Sequence, residues 1–347
     1  MVLSSKERTM AAIRGEPVDR APVFPLLMFL AADRFKVAYR HYATDGHVLA
    51  EAQLHVRQVF GMDAITACSD AFRLAADLGG EMVYPEDKTP YLAIPLITSE
   101  GDFKTLKSPD LSAAKTRAAD RVRATSEMAQ AAGDDCLVLG WVDMPFAEAC
   151  SICGVSQFML MLTENPALAH RILDFLTEIV IEFALLQLET GAPMIGAGDA
   201  AASLVSARMY REFVLPYEQR VCAAIHAVGG LAKLHICGKT THLLVDMVYS
   251  GADLFNVDHL VYLSAARQAY QPAGKCFKGN LNPVADMLQA SPESCEQAAF
   301  NCLRSAQGAA YMLSPGCEVP AGVTDAVFRA FCQAPQKFAA QDHASKN

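Results

Sequence analysis

His235 and Cys237, in the stretch Leu234-His235-Ile236-Cys237-Gly238, and Cys317, in Leu313-Ser314-Pro315-Gly316-Cys317-Glu318, are the side chains of this sequence best suited to chemistry. A His and a Cys one residue apart, joined by a distant Cys in a Gly/Pro turn, read as a zinc site with three protein ligands. Structural zinc is usually closed by four ligands, whereas catalytic zinc keeps a position open for water or substrate. Two sulfurs, one nitrogen and an open position suit a metal that activates an incoming thiol, because the thiolate is the nucleophile. The spacing also leaves a plainer reading open. A His-x-Cys pair arises by chance, and buried free cysteines are common packing residues.

Three such ligands need a rigid carrier. Along the chain, short apolar runs alternate with longer stretches whose apolar residues recur at helical spacing. The runs at 23–27, 64–68, 136–141, 194–197, 232–237, 254–257, 275–278 and 310–313 read as strands, and 5–14, 167–189 and 206–228 as helices. Repeated strand–helix units imply a parallel sheet with helical crossovers. About eight units fit a single α/β domain over residues 1–347, a (β/α)8 TIM barrel with a short N-terminal helical extension and further extra length at 84–120. A doubly wound open sheet is the competing architecture, but no glycine fingerprint of a dinucleotide fold opens any unit.

In the barrel, Asp70, Asp143, Asp199, His235, Cys237, Asp258, Asn280 and Cys317 all end or follow strands. That gathers them on the C-terminal rim, where catalytic groups of this fold reside. A polar residue ending a strand also serves as a plain loop or helix cap. Residues i and i+2 of a strand point the same way, so His235 and Cys237 face one side and Ile236 the other.

Composition narrows the function classes. Hydrophobic residues are 52% and charged residues 19% of the 347, which fits a packed enzyme and excludes disorder. The net charge is −9 with no basic cluster, which argues against nucleic acid and anionic membrane surfaces. Eleven cysteines, an odd number scattered along the chain, read as reduced thiols. The start is polar, and the apolar run 21–32 holds two prolines and is too short to span a bilayer, so a cytoplasmic protein is expected. His170, His226, His242 and His259 lie in or beside helical segments, where surface or capping roles fit better than ligation. Cys150-Ser151-Ile152-Cys153 matches Cys-x-x-Cys but has no second pair and sits at the apolar start of a helix, where packing is the simpler role. The remaining cysteines read as packing residues.

The chain resembles the uroporphyrinogen decarboxylase superfamily and, within it, the methylcobamide:coenzyme M methyltransferases. The resemblance runs through Arg14-Gly15-Glu16-Pro17-Val18-Asp19-Arg20, Gly198-Asp199, Tyr210-Arg211-Glu212-Phe213, His235-Ile236-Cys237-Gly238, Gly279-Asn280-Leu281-Asn282-Pro283 and Ser314-Pro315-Gly316-Cys317. It implies the (β/α)8 barrel and, through the combination of His-x-Cys-Gly with Ser-Pro-Gly-Cys, a Zn2+ held by His235, Cys237 and Cys317. The implied activity moves a methyl group from methylcobalamin, carried on a small corrinoid partner protein, to a zinc-activated thiol such as coenzyme M. Asp199, Asp143 and Asp258 are then candidates to orient the ligands or relay the thiol proton. Two alternatives stay open: demethylation of a methoxylated or methylamine substrate onto the corrinoid, and a uroporphyrinogen-type decarboxylase. The decarboxylase carries arginines in its early segment for the carboxylates of its substrate, whereas 25–32 here holds no charge and only Arg34 follows. Asn280 and Asn282 also stand in a loop where many relatives carry Asp before the proline.

Overall fold

The computed structural model describes residues 3–345. Seven parallel strands form one sheet in chain order: β1 Ala64–Thr66, β2 Leu137–Asp143, β3 Met194–Gly198, β4 Leu231–His235, β5 Leu254–Asn256, β6 Cys276–Leu281 and β7 Tyr311–Pro315. Neighbours in the sheet are neighbours in sequence, the ordering produced by successive helical crossovers of one hand.

The two edges of this sheet are joined by residues 22–26. On one side Phe24 N–H donates to Leu313 O at 3.0 Å and Leu313 N–H to Pro22 O at 2.8 Å; on the other, Asp63 N–H donates to Val23 O at 2.9 Å. The strand expected at 23–27 thus occupies a place in the ring but is reduced to isolated bridges, Val23 to Leu313 and Leu26 to Glu318. Pro22 and Pro25 have no N–H to give to a ladder, which prevents a regular strand. The other seven expected strands are present with shifted ends. The run 232–237 stops as a strand at His235, so Cys237 belongs to the following loop.

The helix expected at 5–14 is α1, Ser5–Ile13, started by a Ser4–Glu7 capping box. It closes the N-terminal end of the barrel, where Ala12 and Ile13 pack with Phe24, Leu137, Leu254 and Met312. The helix expected at 206–228 is broken into Ala207–Phe213 and Leu215–Ala227, because Pro216 suits a first turn and not an interior. The extra length between β1 and β2 carries a small hairpin, Met82–Val83 with Tyr91–Leu92, and the short helices Arg73–Asp77 and Glu100–Thr105.

Two lysines sit inside the barrel lumen. A buried ammonium is costly unless it finds partners. Lys278 Nζ donates to Phe24 O at 2.6 Å and lies 3.8 Å from the Phe24 ring centroid, while Lys233 Nζ lies 4.4 Å from the Trp141 ring. Burial pushes both below the usual lysine range, Lys233 to about 8. Among the described residues no single helix is long and apolar enough to cross a membrane.

Candidate functional site

β4 ends at His235, with Asn256 of β5 in register beside it. Asn256 O lies 3.3 Å from His235 Nδ1, which fixes that nitrogen and leaves Nε2 for another partner. The chain turns at Gly238, whose φ of +91° favours glycine, and Cys237 Sγ comes within 2.9 Å of His235 Nε2. Cys317, from the loop after β7, places its Sγ 3.5 Å from that of Cys237. Its approach depends on Gly316, where a Cβ would meet His259 N at 2.3 Å. Gly316 O in turn accepts from Asn256 Nδ2 at 3.3 Å.

All three donor atoms lie within 4.8 Å of one another. Zinc–nitrogen and zinc–sulfur bonds of ~2.0 and ~2.3 Å give tetrahedral ligand edges of about 3.3–3.8 Å, so a shared ion fits with slight opening of the triad. Two thiols and one imidazole are a zinc donor set. His235 is buried and both cysteines are half-buried. The thiols are a coupled pair. The hydrogen bond from Cys237 holds Cys317 below the usual thiol range, and the same contact together with burial pushes Cys237 up. A cation between them removes the second proton.

The triad faces a cavity of about 710 Å³, the scale of a small-ligand site. Leu26, Met28, Trp141, Val155 and Leu204 give it broad apolar walls. Three carboxyls also line it. Burial would raise Asp70, but Arg117, at 2.7 Å, holds it well below the usual range. Asp143 pairs with Arg73, yet burial wins and pushes it up to about 6. Glu318 accepts from Phe29 N–H at 2.7 Å and is pushed up to about 8 by burial, with the Cys317 charge adding to it. Behind Asp143, in the helix Pro145–Cys153, Glu148 is buried and raised well above the carboxylate range by burial and by Asp143. Its Oε2 has no hydrogen-bond partner among the described residues.

The three acids expected from the sequence are dispersed. Asp143 lines the cavity. It pairs in register with Gly198 of β3, and Asp199, one residue further, takes the opposite direction. The Asp199 carboxyl is fully buried beside Glu218; burial and Glu218 push it well above its usual range, and neither oxygen has a well-formed hydrogen bond among the described residues. Its backbone N–H donates to His235 O at 2.8 Å. Glu218 accepts from Tyr210 OH and is itself pushed up to about 7 by burial. Asp258 Oδ1 accepts from Leu260 N–H at 2.9 Å, a turn cap, while its charge helps to raise Cys237. Asn280 Nδ2 staples the same loop through Asp258 O at 3.1 Å and Val261 O at 2.6 Å. Cys150 lines the cavity and Cys153 is buried near it; burial raises both thiols.

Arg73, Glu148 and Glu318 were not singled out by sequence reasoning. Glu318 had a signal, its place next to Cys317. Glu148 had one too, as the lone charge in Pro145-Phe146-Ala147-Glu148-Ala149-Cys150.

The geometry can be set beside known proteins. A methylcobamide:CoM methyltransferase of Methanosarcina acetivorans is 27% identical over 322 residues, 90% of this chain and 92% of that protein. A uroporphyrinogen decarboxylase of Trichormus variabilis is 28% identical over 334 residues, 91% of this chain and 92% of that protein. Overall identity therefore does not divide the two activities. Among solved structures, a methyltransferase from Methanosarcina mazei aligns with a TM-score of 0.88 at 21% identity, covering 97% of this chain and 99% of that one. A B12-independent methionine synthase from Shewanella aligns at 0.58 with 14% identity, covering 94% and 97%. These two show the shared TIM-barrel fold. The family described as uroporphyrinogen decarboxylase (URO-D) matches residues 4–338, nearly the whole chain, and the protein is an enzyme of that family.

Proposed function

We propose that this enzyme is a zinc-dependent corrinoid methyltransferase, moving a methyl group between a methylcobamide on a small partner corrinoid protein and a small thiol. The observation that carries this reading is the His235–Cys237–Cys317 triad opening onto a cavity of about 710 Å³. The similarity to a methylcobamide:CoM methyltransferase supports it. Zinc held by the triad would supply Lewis acidity that lowers the pKa of an entering thiol. The chain's own residues supply the rest. Asn256 O keeps His235 Nε2 turned toward the cysteines. Trp141, Leu26 and Met28 present apolar surface where water would compete with the thiol. Asp143 has Oδ2 held by Arg73 and Oδ1 on the side of Gly198, where a Cβ would come to 2.9 Å. With its pKa near 6, Asp143 suits the role of accepting the proton that an entering thiol releases. Asp199 and Asp258 act as positioning residues, the first through the backbone of β4 and the second through its turn and its charge on Cys237.

A porphyrinogen decarboxylase would need cations facing its substrate carboxylates. Residues 25–32 instead give Leu26 and Met28 to the wall, and Arg34 is tied to Asp325 at 2.5 Å. The test is an assay of the zinc-loaded enzyme with methylcobalamin and small thiols, following the cobalamin spectrum and the methyl thioether, beside metal analysis and zinc absorption spectroscopy. The expected result is thiol-dependent demethylation with one zinc per chain and two sulfur ligands. Full activity without metal, or carbon dioxide release from uroporphyrinogen with no demethylation, refutes the proposal. Methoxylated and methylamine donors with demethylated corrinoid test the opposite direction.

A further inference from the structure

We infer that the rim loops 257–264, 282–290 and 316–324, with Leu204 at the cavity mouth, form an apolar docking face for the corrinoid carrier protein, which presents the methyl donor over the cavity and leaves after each transfer. This rests on the methyltransferase reading above and gives its protein partner a place on the enzyme.

The face lies where a parallel barrel carries its catalytic loops. Leu204, Leu260, Tyr262, Val284 and Leu288 are all exposed, Tyr262 to 82% and Leu204 to 64%. They follow β3, β5 and β6 in the chain, which puts them at the C-terminal end of the barrel. The loops that carry them abut. Asn280 Nδ2 donates to Asp258 O and Val261 O at 3.1 and 2.6 Å. A Cβ on Gly316 would meet His259 N at 2.3 Å, and one on Gly322 would meet Leu288 Cδ1 at 3.0 Å. Leu204 itself lines the cavity, and a Cβ on Gly238 would come to 3.4 Å from Oγ of its neighbour Ser203. The face thus runs into the mouth beside His235, Cys237 and Cys317.

Charge is turned away from this face. The three loops contain no Lys or Arg. Asp258 is buried, Asp286 accepts from Asn282 N–H at 2.8 Å, and Glu318 accepts from Phe29 N–H at 2.7 Å. On a chain of net charge −9, a sector so bare has the composition of an interface core. Its five large side chains expose apolar area on the order of 500 Å², the size at which a monomer's apolar patch is often a binding site. A stable complex takes about 800 Å² from each partner, so the face suits a partner that comes and goes, and not a permanent second copy. The cavity decides what that partner brings. At about 710 Å³ it has the scale of a small-ligand site, and a corrin macrocycle with its side chains, held on a protein, does not enter it. The donor has to be presented at the mouth, and the protein around it then rests on the rim.

The experiment gives the zinc-loaded enzyme two methyl donors, free methylcobalamin and methylcobamide on a purified small corrinoid carrier protein, with coenzyme M as acceptor. For the unmodified enzyme the carrier is expected to show a KM at least about tenfold below that of free methylcobalamin, with little dependence on salt. Tyr262→Glu and Leu288→Glu each place a charge without a partner under the docked carrier. Each is expected to raise the carrier's KM about tenfold or more and to leave the kinetics with free methylcobalamin unchanged. Val228→Glu, exposed at the opposite end of the barrel, is expected to change neither donor. Equal KM for the two donors, or variants that leave the carrier's KM unchanged, overturns the inference alone. A dimer of the unmodified enzyme in sedimentation that Tyr262→Glu splits assigns the face to a second copy, and overturns it too. No methyl transfer from either donor overturns the methyltransferase reading and the inference with it.

Discussion

The two ends of the barrel differ in how completely the chain itself satisfies their buried polar groups. At the N-terminal end Asp63 is fully buried, and its carboxylate accepts from Arg8 Nη1 at 2.8 Å, Arg20 Nη1 and Nη2 at 2.7 and 3.0 Å, and Val23 N–H at 2.7 Å. At the C-terminal end Glu148 Oε2 and both Asp199 oxygens lack well-formed partners among the described residues, and the donor atoms of His235, Cys237 and Cys317 converge as a group of three among the described residues. An unsatisfied buried polar group costs about 1–3 kcal/mol. A cluster completed by the chain itself staples the fold, whereas an incomplete one keeps capacity for a ligand or a proton. Stability and chemistry are thus divided between the two faces, as this fold allows.

The sharpest way to break that contrast is Asp63→Ala. It removes the acceptor of Arg20, of Arg8 Nη1 and of Val23 N–H, with Arg8 still held by Asp19, and is expected to cost about 3–5 kcal/mol in chemical denaturation, while zinc binding by the protein that remains folded is expected to be unchanged. Loss of metal at unchanged stability would reverse the assignment of the two ends. Next, Cys237→Ala or Cys317→Ala is expected to abolish zinc binding and lower methyl transfer more than about a hundredfold with little change in melting temperature, whereas Cys150→Ala keeps the metal. Gly316→Ala sharpens the same point, because its Cβ meets His259 N and displaces Cys317 without removing a ligand. Zinc affinity should fall about 10–100-fold, readable by competition with a chelator.

The smallest effects are in pH. Arg8 holds Asp19 down to about 2, so its stabilisation is present above the unfolded value of about 3.9 and is lost as pH falls toward 2. Asp143, pushed up to about 6 by burial, binds its proton more tightly folded than unfolded, so stability falls as pH rises from about 4 to 6. Melting curves of Asp19→Asn and Asp143→Asn against the unmodified protein should show difference slopes of opposite sign in those two windows. Equal signs would remove the contrast.

Most of the strand order and the meeting of His235, Cys237 and Cys317 were legible because they depend on local pattern: apolar runs of strand length, and a His-x-Cys pair ending one of them. The misplacements came from phase and from missing donors. Asp143 and Asp199 both follow strands in the sequence, but the register that sets Asp143 opposite Gly198 turns Asp199 away from the cavity. Residues 23–27 have the hydropathy of a strand, but Pro22 and Pro25 leave only bridges. Arg73 was invisible as a partner of Asp143 because the two are 70 residues apart and meet only through the pairing of β1 with β2.

Asn256 touches the site only through its neighbours, with its carbonyl at the His235 ring and its amide on Gly316 O. The orientation of His235 and the position of the Cys317 loop therefore hang on a single residue of β5. A molecule that shifts the Cys317 loop on entering the cavity also shifts the pose of the imidazole. By thermodynamic reciprocity, the factor by which such a molecule changes zinc affinity is the factor by which zinc changes its own. If zinc occupies the triad as proposed, the hold on the metal and the hold on the substrate are one linked quantity, read out at two places.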